Sequence, residues 1–134
     1  MIEEESIFEV RGYELDSFGH LNNSVYLNYL EAERWNFCKK YILKYKDGKY
    51  QFEDNLFLVI IETYIKYIRE LRLFDRVIIK SKYSCEGDII VGEYVLVKEG
   101  EKTKIAISKS KLVFVDHDRV LHSIPKELKN LLES

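Results

Sequence analysis

Residues 24–44 contain neither Pro nor Gly, and apolar side chains recur through them at helical spacing. Tyr26, Tyr29, Leu30, Phe37, Cys38 and Tyr41 make one stripe, and Leu27, Ala32, Trp35 and Ile42 widen it. A helix this apolar on several sides needs a broad apolar surface against it, and a sheet supplies one. Asn22 or Asn23 caps its start. Lys39, Lys40 and Lys44 near its end suit the helix dipole, and Asp47-Gly48 marks its stop.

The rest of the chain reads as strands. Residues 6–14 alternate loosely around Ile7, Phe8, Val10 and Tyr13 and predict a first strand. Residues 56–68 are rich in Ile, Val, Tyr and Thr on both parities, which predicts a strand buried on both faces. Residues 76–84 alternate well, the turn Glu86-Gly87-Asp88 follows, and 89–98 form another strand. Glu99-Gly100-Glu101 makes a tight hairpin. Residues 102–116 are a long last strand whose Lys104, Ser108, Lys109, Ser110 and Lys111 point part of it to solvent. Pro125 sits in the first turn of a short terminal helix through Leu128, Leu131 and Leu132. The order is β-α-β-β-β-β-α, an α+β class. Its simplest solution is one curved antiparallel five-stranded sheet wrapped around the long helix. Neither repeat nor linker interrupts residues 1–134, so they form one domain.

Composition excludes some functions. A net charge of −2 argues against a non-specific nucleic-acid binder. Cys38 and Cys85 lack metal-type spacing and fit buried free thiols in a reducing compartment. The acidic start, Glu3-Glu4-Glu5, has no signal-type apolar segment, and no apolar run reaches membrane-span length. The expected location is cytoplasmic. Ten Tyr and seven Phe suit a well-filled core, an apolar interface or a ligand groove.

The chemistry concentrates just before the helix. Residues 13–23 pack Asp16, Gly19, His20, Asn22 and Asn23 into one turn. By residue type alone, Asp16 is a turn residue bonding its own backbone, and Asn22 and Asn23 are caps. His20 follows Asp16 at i+4 across a turn containing Gly19, so the two can face one cleft. Residues 24–26, at the helix start, offer free backbone N–H groups and a positive dipole end. Glu31 and Arg34, at i,i+3, read as a structural ion pair that fixes the helix against a second subunit. Glu62 is an acid inside an apolar strand, and Lys66, Arg69 and Arg72 cluster after it.

The block from Val10 to Asn23 with Tyr26, Leu27, Tyr29, Glu31 and Arg34, the strand Ile61 to Tyr67, and the closing Phe114-Val115-Asp116 with Ile124 to Leu128 occur in that order. Together they resemble the hotdog-fold acyl-CoA thioesterases of the 4-hydroxybenzoyl-CoA thioesterase type. Leu15, where a small hydroxyl residue is more usual, and Glu70, where Pro is common, are departures. The resemblance implies hydrolysis of an acyl-CoA thioester to a free acid and coenzyme A. Asp16 would act as general base on water or as nucleophile. His20 would orient the carbonyl or donate to the developing oxyanion, and Asn23 and the helix start would complete the oxyanion hole. Gly19, Asn22, Tyr26, Glu62, Lys66 and Arg69 would bind substrate. No metal or redox cofactor is implied, coenzyme A entering only as part of the substrate. A homodimer or homotetramer is implied, with Asp16 and the helix start of a site coming from different subunits. The alternatives are a thioesterase for acyl carrier protein, docking on Lys39, Lys40, Lys44, Lys46 and Lys49, or a non-catalytic acyl-CoA-binding module.

Overall fold

The computed structural model describes every residue from Met1 to Ser134. In chain order it contains β1 (Ile2–Glu9), α1 (Asn23–Tyr41), β2 (Lys44–Lys46), β3 (Lys49–Gln51), β4 (Phe57–Tyr67), β5 (Arg76–Glu86), β6 (Ile89–Lys98), β7 (Lys104–Val115), β8 (Leu121–His122) and α2 (Lys126–Glu133). The five long strands form one antiparallel sheet in the order β1-β5-β6-β7-β4, and β8 adds to β7. Helix α1 lies across one face. This is the hotdog arrangement.

Side chains from both layers join the helix to the sheet. Phe37 stacks on Tyr83 of β5 at 3.9 Å between centroids, and Phe8 of β1 stacks on Tyr29 at 5.0 Å. Leu30 and Phe37 are fully buried, and each such side chain stabilises by roughly 1.5–3 kcal/mol. The buried stripe of α1 is Tyr26, Tyr29, Leu30, Glu33, Arg34, Phe37 and Cys38. Two charged residues thus stand in an otherwise apolar row. Leu27 and Trp35, on the flank toward β4, remain exposed.

On the other face of the sheet, opposite charges face each other across strands. Glu3 is opposite Lys82, Lys82 opposite Glu93, and Glu93 opposite Lys109. Each such pair contributes a few tenths of a kcal/mol and keeps this face solvated. The same pairing explains why the first strand is Ile2–Glu9 rather than 6–14. The acidic run Glu3–Glu5 looks like a tail in isolation, but it registers against Lys80 and Lys82.

Three further expectations are corrected. Asp47-Gly48 does not stop α1, which ends at Tyr41; it turns the β2–β3 hairpin. Both residues have positive φ (53° and 79°), the signature of a tight primed turn. Strand β4 is not buried on both faces. It is an edge strand, and Val59, Ile60, Ile61 and Tyr64 are exposed. Ser108 and Ser110 do not face solvent. They are buried beneath α1, where Ser110 Oγ bonds the Tyr94 hydroxyl at 2.8 Å and Ser108 Oγ donates to the Tyr64 carbonyl at 2.7 Å.

Gly92 of β6 leaves room for that buried pair. A Cβ at Gly92 would stand 3.1 Å from Ser110 Oγ and closer still to the Tyr94 hydroxyl. Gly92→Ala is therefore expected to cost about 1–3 kcal/mol by overpacking. A urea melt reads this as a lower midpoint at unchanged slope. An unchanged midpoint would mean that the Tyr94 ring can move aside freely.

Candidate active site

The turn between β1 and α1 is held at both ends. At its start Glu14 is buried, and it accepts from the Arg11 backbone N–H at 2.8 Å and from the Tyr29 hydroxyl at 2.6 Å. The Arg11 guanidinium lies 3.4 Å away. Burial pushes the Glu14 carboxyl up, but the hydrogen bonds from Tyr29 and Arg11 outweigh it and hold it below the usual range. At the other end Leu15 bridges Leu21, and the Leu21 N–H bonds the Leu71 carbonyl at 2.8 Å. His20 bridges Arg72. The loop is thereby clamped to the β4–β5 connection.

Glu14→Gln weakens charge-assisted bonds and is expected to cost about 1–3 kcal/mol at neutral pH. A carboxyl lowered in the folded state contributes stability above its unfolded value, near 4.3, and loses it as pH falls through the folded value. The deficit of the variant should therefore shrink in acid. Urea melts at neutral and acid pH check this, and a pH-independent deficit would contradict it.

Within this frame Asp16 makes an Asx turn. Its Oδ1 accepts from the Phe18 N–H at 2.9 Å and the His20 N–H at 3.1 Å. Its own N–H bonds the His20 carbonyl at 2.8 Å, and the Gly19 N–H bonds the Asp16 carbonyl at 3.1 Å. Gly19 takes a φ of 79°, which a residue with a Cβ resists. The residue-type reading of Asp16 is thus correct as geometry. It uses only one carboxylate oxygen. Asp16 is exposed, and Oδ2 has no partner in the chain.

Next along, His20 Nε2 stands 3.1 Å from Glu70 Oε2. Glu70, noted from sequence only as a departure, thus fixes the imidazole ring. Asn22 is the N-cap of α1, and its Oδ1 accepts from the Ser24 N–H at 3.1 Å and the Ser24 hydroxyl at 3.0 Å. The Val25 N–H bonds the Asn22 carbonyl. Of the N–H groups at the helix start, that of Asn23 is left without a partner. The Tyr67 hydroxyl donates to the Asn23 carbonyl at 3.0 Å and ties the end of β4 to this point.

The remaining candidates separate. Tyr26 is 2 % exposed, stands edge-on to Tyr67, and donates to the Arg69 carbonyl at 3.5 Å. Burial pushes its phenol up to about 12, so it supports the loop as a neutral donor. Arg69 is exposed in the β4–β5 connection. Glu62 and Lys66 lie on the face of β4 turned away from α1, since Glu62 registers with Lys111 while the neighbouring Thr63 registers with the buried Ser110. Glu62 lies 3.8 Å from Lys111. The fold therefore gathers Asp16, Gly19, His20, Asn22 and Asn23, and leaves Glu62 and Lys66 outside that cluster within one chain. The expected Glu31–Arg34 ion pair does not form: Glu31 is exposed, and Arg34 is buried with Nη1 unpartnered. Glu14, Tyr67 and Glu70 are the site residues that sequence reasoning missed. Glu14 had a signal, since an acid three residues after Arg11 can cap it. Tyr67 and Glu70 depend on chain closure and had none.

No group of three or more His, Cys, Asp or Glu side chains is placed to hold a metal ion. No helix is long and apolar enough to cross a membrane.

Residues 10–132 match the family model of the thioesterase-like superfamily. The chain is 30% identical over 110 residues to the long-chain acyl-CoA thioesterase FadM of Escherichia coli, covering 81% of this chain and 80% of that protein. It is 28% identical over 123 residues to the chloroplastic acyl-acyl carrier protein thioesterase ATL3 of Arabidopsis thaliana. That match covers 91% of this chain but spans only 63% of the Arabidopsis protein. The structure of YbaW, a probable thioesterase from Escherichia coli, superposes with a TM-score of 0.75 at 25% identity over 96% of both chains. With the family model matched over nearly the whole length, the chain belongs to the thioesterase-like superfamily.

Proposed function

We propose that the chain hydrolyses acyl-CoA thioesters to the free acid and coenzyme A. The observation that carries this reading is Asp16, whose Oδ1 is held by two backbone N–H groups while Oδ2 stays free in the loop that leads into α1. As general base, Oδ2 takes a proton from water while the water oxygen adds to the thioester carbonyl carbon. As nucleophile, it adds there itself, and water then hydrolyses the mixed anhydride. In both routes the carbonyl oxygen gains charge. The Asn23 N–H and the positive end of α1 stabilise it, an effect worth roughly a hundredfold or more in rate. Collapse breaks the C–S bond, and the coenzyme A thiolate takes a proton from solvent. His20, oriented by Glu70, directs the carbonyl, and Gly19 and Asn22 shape the approach. Arg69, exposed in the β4–β5 connection that packs on the loop, takes the phosphates.

A panel of acyl-CoAs, with release of free thiol followed, tests the reading. Turnover is expected. Tight binding without turnover would favour an acyl-CoA-binding module instead. The acyl carrier protein alternative is supported by the similarity to ATL3 and by Lys44, Lys46 and Lys49, exposed on and beside the β2–β3 turn. Parallel assays on acyl carrier protein substrates decide it.

The same reading includes a second copy at the β4 edge. An edge strand of eleven residues with exposed Val59, Ile60 and Ile61 is an open pairing template. Sedimentation is expected at twice the 16.0 kDa chain mass or at a higher even multiple. A monomer at assay concentration would overturn this part.

A further inference from the structure

Phe74 occupies a position that suits glycine. Residues 72–75 make a turn, closed by the Asp75 N–H on the Arg72 carbonyl at 3.1 Å and by Asp75 Oδ2, which accepts from the Arg72 N–H at 2.8 Å. Phe74, the third residue of the turn, has a φ of 66°. Gly or Asn is usual there, because a Cβ resists positive φ. A bulky aromatic in this conformation is strained, and such strain collects at functional positions. Packing does not offset it, since Phe74 is 69 % exposed.

Its neighbours extend the feature. Leu73 is 42 % exposed. The Phe74 N–H bonds the Val10 carbonyl at 3.0 Å, which sets the turn beside the start of the β1–α1 loop. There Tyr13 is 78 % exposed, with the Arg11 guanidinium 5.3 Å from its ring centre. Two loop tips thus carry three large apolar side chains into water. They lie away from the β4 edge. The turn leads into β5, three strands from β4, or about 14 Å at sheet spacing, and Tyr13 follows β1 at the opposite edge. A second copy paired through β4 sits on the other side of the sheet from these tips.

Free cations stand beside them. Of the acids in the two loops, Glu14 pairs with Arg11, Glu70 with His20 and Asp75 with Lys98. Asp16 is the group assigned to the chemistry. Arg69 and Arg72 are exposed, and neither forms an ion pair, unlike Arg11 and Arg76. Apolar tips flanked by free guanidiniums match the boundary of a bilayer, where rings enter the acyl layer and guanidiniums meet headgroup phosphates. Single side chains on loop tips also suit a fluid layer, which closes around each one, better than a preformed groove on a folded partner.

We propose that the 72–75 turn and Tyr13 form a docking surface for an anionic lipid layer. Leu73, Phe74 and Tyr13 enter it, Arg72 meets its phosphates, and Arg69 adds to the positive field. Arg72 bridges His20 through the backbone, so docking brings the Asp16 loop to the surface into which long acyl chains partition. The proposal goes beyond the thioesterase reading and does not depend on it, because vesicle binding needs no turnover.

Cosedimentation tests it, with vesicles of phosphatidylcholine mixed with phosphatidylglycerol and with vesicles of phosphatidylcholine alone. The unaltered protein is expected to bind the mixed vesicles, to bind the neutral ones less, and to come off the mixed ones as salt is raised. Phe74→Gly is expected to weaken binding by about tenfold or more, the loss of one buried aromatic. Its melting temperature should hold or rise, because glycine accepts the backbone without strain. Arg72→Gln is expected to weaken binding to the mixed vesicles by roughly fivefold and to leave the neutral ones unaffected. Failure to bind the mixed vesicles overturns the proposal and leaves the tips to a protein partner. Binding that Phe74→Gly leaves unchanged overturns it as well, and equal binding to both kinds of vesicle overturns the choice of an anionic surface. A lower melting temperature in Phe74→Gly would show that Phe74 serves the fold instead.

Discussion

Asp16→Asn is expected to lower kcat by about 10²–10⁴ while leaving the fold intact. The two halves of this expectation come from the two oxygens of one carboxylate. Oδ1 accepts from the Phe18 and His20 N–H groups, and an Asn side-chain oxygen accepts the same bonds. The turn, the left-handed Gly19 and the N-cap at Asn22 should all survive, with stability changed by less than about 0.5 kcal/mol, as for a surface substitution. Oδ2 is the oxygen that reacts, and an amide nitrogen in its place neither takes a proton from water nor attacks a carbonyl. Thiol release and a thermal melt are measured on the same preparation. Turnover within a few-fold of the unaltered protein would remove Asp16 from the chemistry. A collapsed melt would show that the turn needs the charge.

Local pattern made the layers legible in the sequence. The helical spacing from Tyr26 to Tyr41 and the alternation of 76–84 and 89–98 are periodic properties, and they recovered α1, β5 and β6 closely. Elements whose logic lies in a partner strand were harder to read. The Glu3–Glu5 run becomes a strand because Lys80 and Lys82 stand opposite it. Ser108 and Ser110 look solvated until Tyr94 and the Tyr64 carbonyl are seen to receive them. The apolar content of β4 was read correctly, but burial on both faces assumes cover that one chain does not supply. In the site, Asp16, His20 and the two Asn stand together because they are close in sequence. Glu70 reaches His20 only because the β4–β5 connection packs on the turn. Glu31 and Arg34 have ion-pair spacing, yet adjacent positions on a helix diverge in burial, and Arg34 follows the buried stripe while Glu31 does not.

The same divergence sets up the second large effect, at Glu33. Helical spacing puts this residue in the buried row with Leu30 and Phe37, and it is fully buried. The Tyr83 hydroxyl donates to its Oε2, while Oε1 has no partner. Burial pushes its carboxyl up, and the bond from Tyr83 opposes this only in part. Of the charges around it, Glu4 pushes in the same direction and Arg34 against. A carboxyl raised in the folded state holds its proton more tightly than the unfolded chain does. Its contribution to stability is therefore complete below the unfolded value near 4.3 and is lost as pH rises through the folded value. The loss runs at up to about 1.4 kcal/mol per pH unit across that window and levels off above it. Glu33→Gln keeps the shape of the protonated acid and cannot ionise. Its melting temperature should lack this slope, match the unaltered protein in acid, and exceed it at neutral and alkaline pH. Glu14 acts in the opposite sense and below the window, so it does not mimic the effect. Melts of both proteins from acid to alkaline pH decide the matter: parallel curves would mean that Glu33 stays ionised in the core, held by a group that one chain alone does not provide.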